Sequence, residues 1–184
     1  FWAICLNEKG SFPERQKERQ MKKVLVVIDG QGGGFGRALI EKLRQQPLPE
    51  VEIRAVGTNA LATSAMLKAG ADAAATGENA VIVNAGRADI LAGPVGIVLA
   101  NSMMGEFSPA MAAAVGESPA KRVLIPVSRC ATYVAGVAEK PLAQYLEDAA
   151  ALIRRQEEPR KGLFLQDFLV RKSLKKYFMN YFIT

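Results

Sequence analysis

The chain has no histidine at all and only two cysteines, Cys5 and Cys130. Without histidine there is no His-based triad, no imidazole general base and no His-x-x-x-His zinc site, and two cysteines cannot build a four-thiolate zinc site within one chain. Cysteines so far apart make no disulfide framework and fit a reducing compartment, so the expected address is the cytoplasm. Long apolar runs are missing as well. None reaches the roughly 18–20 residues that a membrane span needs, so no membrane is expected for the core.

A surplus of charge is missing where it would matter. The formal net charge is +6, but residues 160–184 carry six basic groups against Asp167 alone, and residues 1–20 carry four basic against three acidic groups. That leaves 14 basic and 14 acidic groups over residues 21–159. The basicity belongs to the ends, and the central part has no electrostatic footprint for a nucleic acid. Aromatic residues divide in the same way: six lie in 160–184, whereas Phe35, Phe107, Tyr133 and Tyr145 are the only four in 21–159.

What is there is one domain's worth of apolar sequence, 49% of 184 residues. Residues 1–20 read as an upstream open frame or an appended segment. They precede Met21, and Lys17-Glu18-Arg19-Gln20 has codons that can spell a purine-rich ribosome-binding sequence. An ordinary polar arm is the other reading. Residues 159–184 form a basic, aromatic tail expected to lie outside the domain, either poorly ordered, or an altered reading frame, or a helix for an anionic surface or a partner's groove.

Between these ends apolar runs alternate with helix-period segments. The alternation predicts an α/β domain over 21–158, three-layered and Rossmann-like, a mostly parallel sheet with helices on both faces. Strands are expected over 23–28, 52–57, 71–75, 89–93, 122–127 and 133–137. Helices are expected over 34–46, from a cap at Thr58 or Asn59 to Gly70, over 77–85 with Gly86 closing it in the left-handed conformation, over 110–115 after Ser108-Pro109, and over 141–156. The second of these is apolar enough to suggest burial on more than one side. Residues 94–104 are apolar almost throughout and fit either a buried helix or an inner strand.

Right-handed crossovers bring the loops 29–36, 57–59, 93–102 and 128–130 to one edge. The first is Asp29-Gly30-Gln31-Gly32-Gly33-Gly34-Phe35-Gly36, a nearly side-chain-free passage from strand to helix, where backbone N–H groups can face a phosphate. Gly30, Gly34 and Gly36 follow the Gly-x-x-x-Gly-x-Gly spacing of short-chain dehydrogenase cofactor loops. A tight turn with no ligand is the plain alternative. The second strand ends in Gly57-Thr58-Asn59, without the acidic residue that usually holds an adenosine ribose, so Thr58 or Asn59 is the candidate partner there. The Tyr-x-x-x-Lys pair is missing, since Val137 and Ala149 stand four places after Tyr133 and Tyr145. The loop also lacks the Gly-Lys-Ser/Thr ending of a P-loop.

The candidate binding set is therefore Asp29, Gly30, Gln31, Gly32, Gly33, Gly34, Gly36, Thr58, Asn59, Asn101, Ser102 and Arg129, with Glu106, Ser128 and Cys130 at the same edge. Asp29 is suited either to a metal-bound phosphate or hydroxyl or to capping its own turn. No metal set and no catalytic residue are assigned. The ligand expected is a phosphate-containing small molecule, with NAD(P) or another nucleotide as the cofactor class. A non-catalytic regulatory module, homo-oligomeric through 94–104, is the second reading, and an NAD(P)-dependent oxidoreductase with a non-standard site the third.

Several blocks taken together resemble the domain-of-unknown-function 3842 family of small bacterial proteins: Ile28-Asp29-Gly30-Gln31-Gly32-Gly33-Gly34, Ala55-Val56-Gly57-Thr58-Asn59-Ala60-Leu61-Ala62-Thr63, Thr76-Gly77-Glu78-Asn79-Ala80, Gly93-Pro94-Val95-Gly96 with Ala100-Asn101-Ser102-Met103, and Leu124-Ile125-Pro126-Val127 with Cys130. The resemblance covers about residues 21–155. It implies a Rossmann-like domain and leaves the activity unassigned.

Removing residues 1–20 is expected to leave the melting temperature within a few degrees of the full chain. A fall of many degrees in a thermal melt would show that the segment belongs to the fold.

Overall fold

Five successive apolar residues, Val24 to Ile28, cannot alternate between core and solvent and must be covered on both sides. The computed structural model, which describes residues 22–46, 48–126 and 132–157, makes this run the centre of a five-stranded sheet. The strand β1 (Lys23–Asp29) pairs in parallel with β2 (Val51–Gly57) on one side and β4 (Ile90–Pro94) on the other. With β3 (Ala73–Thr76) and β5 (Lys121–Ile125) at the edges, the order is β3-β2-β1-β4-β5, and every pairing is parallel.

The helices divide between the two faces. On one side α1 (Gly34–Arg44), α2 (Ala60–Lys68) and α5 (Leu142–Glu157) cover Leu25, Val27 and Ile53 with Leu39, Leu43, Met66 and Ile153. On the other, α3 (Glu78–Ala85) and α4 (Pro109–Glu117) cover Val26, Ile28 and Leu91 with Val81, Met111 and Val115, joined by Phe107. The expected three-layer, Rossmann-like α/β architecture is what forms. Among the described residues no helix is long and apolar enough to cross a membrane.

Local chemistry sets the helix starts. Leu39, Ile40 and Leu43 recur at helical spacing and fix the buried face of α1. Asn59 caps α2, its Oδ1 accepting from the Ala62 amide at 2.9 Å. Ser108 caps α4 in the same way, accepting from the Met111 amide at 3.2 Å, with Pro109 in the first turn where its missing N–H is harmless.

Several expectations are corrected. Residues 133–137 form no strand: Val137 turns back to the Val134 carbonyl, Gly136 has φ of 80°, and Tyr133 is 92% exposed. A left-handed glycine interrupts the extended run, and the segment stays off the sheet. β5 stops at Ile125 rather than 127, just before Pro126, whose ring has no N–H for a ladder. Residues 94–104 are neither helix nor inner strand but two short 3-10 turns, Val95–Val98 and Met103–Gly105, so that Gly96 and Ile97 are buried while Met104 is 95% exposed. Gly86 closes α3 in the right-handed region, with φ of −72°, because its amide continues the ladder to the Ile82 carbonyl. α2 buries only one face, through Ala62 and Met66, and leaves Leu61 67% exposed. The segments 1–20 and 159–184 lie outside the described residues.

After β3 the chain crosses from one side of β1 to the other. Loops leaving β1 and β4 therefore diverge to opposite faces and leave a crevice at the carboxyl ends, the usual ligand position in such sheets. The two strands run close there. A Cβ on Gly93 would stand 2.5 Å from the Ile28 carbonyl oxygen and 3.0 Å from Ile97 Cδ1. Gly93→Ala is expected to cost about 1–3 kcal/mol or more through this overpacking, read as a lower urea midpoint with unchanged slope.

Candidate functional site

The glycine loop is organised by its first residue. Asp29 ends β1 at 5% exposure, and its two carboxylate oxygens reach the two ends of the loop: Oδ1 accepts from the Gly30 amide at 2.8 Å and Oδ2 from the Gly36 amide at 2.7 Å. Of the two roles open to Asp29, capping its own turn is the one its geometry serves. Burial pushes this carboxyl above its ordinary range, opposed by the amides of Gly36, Gly30 and Phe35, and the neighbouring Glu106 charge adds to the rise. The Gly33 amide closes a turn on the Gly30 carbonyl at 2.9 Å, with Gln31 and Gly33 both left-handed at φ of 51° and 66°.

Glycine is required at some of these positions and not at others. A Cβ at Gly33 would lie 2.6 Å from the Ala62 Cα, and one at Gly36 would strike the Met66 sulfur. At Gly32 and Gly34 it would meet nothing within 4 Å. The amides of these two residues also have no acceptor among the described residues, whereas those of Gly30, Gln31, Gly33 and Gly36 are all bonded within the chain. Of the amides of 30–36 expected to face a phosphate, those of Gly32 and Gly34 are the glycine amides left without an acceptor among the described residues.

Thr58 and Asn59 stand at the end of β2 beside the loop, yet neither side chain is free. Glu106, from the connection before α4, places Oε2 among three donors: the Gln31 amide at 2.8 Å, the Thr58 hydroxyl at 2.5 Å and the Asn59 amide nitrogen at 2.9 Å. These bonds, Thr58 foremost, hold the Glu106 carboxyl below its ordinary 4.5. Asn59 Nδ2 also donates to the Gln31 carbonyl at 2.9 Å. The acidic group that the end of β2 lacks in sequence is therefore present in space, supplied 48 residues beyond Thr58. The sequence puts Glu106 at this edge but gives it no partner, because no spacing rule joins residues 31 and 106.

Asn101 and Ser102 lie on the opposite wall. Ser102 Oγ donates to the Gly96 carbonyl at 2.6 Å and the Asn101 amide to the Phe107 carbonyl at 2.8 Å, which folds 96–107 back on itself. Asn101, Met103 and Met104 are held left-handed, with φ of 60°, 55° and 59°. Between this wall and residues 29–35 is a cleft of about 880 Å³, which Pro94, Thr132 and Leu142 complete. Thr132 and Leu142 were not anticipated. The entry of α5 after Pro141 was visible in the sequence, but not that it returns to the crevice. Ser128, Arg129 and Cys130 lie outside the described residues.

A family model described as "Domain of unknown function (DUF3842)" matches residues 24–158, and the chain belongs to that family. No curated protein matches it. Among solved structures, a dodecameric FMN-dependent Ubix-like decarboxylase from Escherichia coli O157:H7 shares 20% identity over 73% of this chain and 75% of that one, at a TM-score of 0.35, a likeness too loose to transfer any residue.

Two outcomes follow from this geometry. Asp29→Asn leaves the Gly30 or Gly36 amide facing an NH₂ group, and is expected to cost about 1–3 kcal/mol at neutral pH, measured by urea unfolding. The Glu106 pKa is depressed in the fold, so its contribution is present above about 4.5 and is lost as pH falls through the folded value. Glu106→Gln should accordingly flatten the acid limb of stability against pH, and a limb identical to that of the natural chain would refute this assignment.

Proposed function

We propose that this DUF3842 protein binds a nucleotide, dinucleotide or other phosphorylated metabolite in the crevice between the carboxyl ends of β1 and β4, its phosphate on the amides of Gly32 and Gly34. The observation that carries this reading is a pair of glycines that the fold does not require. Both have open space above them, both have unbonded amides, and both stand at the N-terminal end of α1 on the wall of the 880 Å³ cleft. A helix start with free N–H groups favours an anion, and glycine lets the anion approach the backbone. The cleft is of ordinary size for a small-molecule site.

The same surroundings favour binding over hydride chemistry. Tyr145, one of two described tyrosines in the domain, donates its hydroxyl to the Ala138 carbonyl at 2.8 Å and has no lysine four places on. The interaction-module reading draws less support, because the apolar side chains of 94–104 turn partly inward and Met104 is left as the prominent exposed one. A stable interface needs about 800 Å² from each partner.

Gly34→Asp separates ligand binding from folding. The new Cβ meets open space, and a carboxylate in the first turn of α1 suits the helix dipole, so the melting temperature should hold or rise. The same carboxylate occupies the anion's place. In a thermal-shift panel of NAD, NADP, flavins, adenine and guanine nucleotides and sugar phosphates, at least one compound should stabilise the natural chain and fail with the variant. A panel without effect on the natural chain, or one that works equally on both proteins, would overturn the reading.

A further inference from the structure

Glu106 is exposed, yet its carboxylate is held as firmly as a buried one. One oxygen takes three donors from two separate loops, and the other, Oε1, has no partner among the described residues. The group lies directly over Gly30: a Cβ there would approach Glu106 Oε2 to 3.1 Å and Thr58 Oγ1 to 2.8 Å. A carboxylate carries about four acceptor positions, so fixing Oε2 leaves Oε1 oriented and able to accept from a ligand. Its neighbours on the loop, Gly32 and Gly34, are the residues with free amides.

We infer that Glu106 is a specificity-determining residue whose free carboxylate oxygen accepts the ribose hydroxyls of a ribonucleotide, selecting a free 2′-hydroxyl against a 2′-deoxy or 2′-phosphorylated sugar. The inference rests on the phosphate reading above and adds the sugar class to it. An acidic side chain beside the end of the second strand is the known physical solution for a ribose diol in sheets of this order. Here Thr58 and Asn59, the residues at that strand end, act as positioning residues that hold a carboxylate brought from the connection before α4, at the Gly30 edge of the cleft. Charge makes the selection two-sided. A hydroxyl donates to the carboxylate, a hydrogen atom gives it nothing, and a 2′-phosphate places like charge against it. The left-handed residues Asn101, Met103 and Met104 belong to the turn that carries Glu106 to this position.

The test is calorimetric titration of the full chain with AMP and 2′-deoxy-AMP, with GMP and 2′-deoxy-GMP, and with NAD and NADP. The natural chain should prefer the ribonucleotide over its deoxy partner by about tenfold to a hundredfold, the yield of one hydrogen bond to a charged group, and should prefer NAD over NADP. In Glu106→Gln these ratios should fall towards one. A purely structural role would weaken all ligands alike and leave the ratios intact, which would overturn the inference. So would a natural chain that binds ribo- and deoxyribonucleotides equally, or a Glu106→Gln variant that binds every nucleotide more tightly, which would make the carboxylate a plug. These results leave the phosphate reading standing. Failure of every nucleotide to bind the natural chain overturns the inference together with that reading.

Discussion

The carboxylate of Asp29 closing on the amides of Gly30 and Gly36 is the interaction on which the crevice depends. Two short hydrogen bonds from one buried group pin a loop that has almost no side chains of its own to hold it. Folding pays heavily for ordering glycine, so a run rich in it would otherwise leave the junction of β1 and α1 loose. With its ends tied, the loop holds Gln31 and Gly33 left-handed, α1 starts at Gly34, and the remaining amides keep fixed directions. Water exclusion at Asp29 raises the cost of its charge, and the surrounding N–H groups offset part of it.

Around that knot the chain sorts its polar groups by role. Gly30 and Gly36 give their amides to Asp29, Gln31 to Glu106, and Gly33 to the turn, while Gly32 and Gly34 keep theirs. Steric demand falls along the same division. Gly30, Gly33 and Gly36 are hemmed in by Thr58 and Met103, by Ala62 and by Met66, while Gly32 and Gly34 face open space. Two independent properties, hydrogen bonding and packing, therefore single out the same two residues. Glu106 plays the complementary part across the β2 end, where it links the loop, Thr58 and Asn59 to the turn before α4.

Much of this was legible in the amino-acid sequence, for physical reasons that also mark where legibility stops. β1 is readable because a strand buried on both faces needs an unbroken apolar run, β2 because Val51, Ile53 and Ala55 alternate with Glu52 and Arg54, and the caps at Asn59 and Ser108 because few side chains satisfy a helix start. The 94–104 segment defeated the same reasoning: apolar composition reports burial, not conformation, and short 3-10 turns bury Gly96 and Ile97 as well as a helix would. Residues 133–137 look like a strand because Tyr133, Val134 and Val137 have strand propensity, which the left-handed Gly136 overrides. At the site, the loop and its Thr58-Asn59 neighbour were visible locally. The convergence of Gln31, Thr58, Asn59 and Glu106 is a product of the sheet order and has no local signature.

The central claim is that the free amides of the loop receive an anion, and amide-resolved NMR addresses it most directly. With the nucleotide or sugar phosphate that stabilises the protein most, ¹H–¹⁵N resonances of Gly32 and Gly34 should show the largest ligand-dependent displacement, while those of Gly30 and Gly36, bonded to Asp29, move little. Saturable binding that leaves Gly32 and Gly34 in place and displaces resonances far from the β1 and β4 ends would contradict the account.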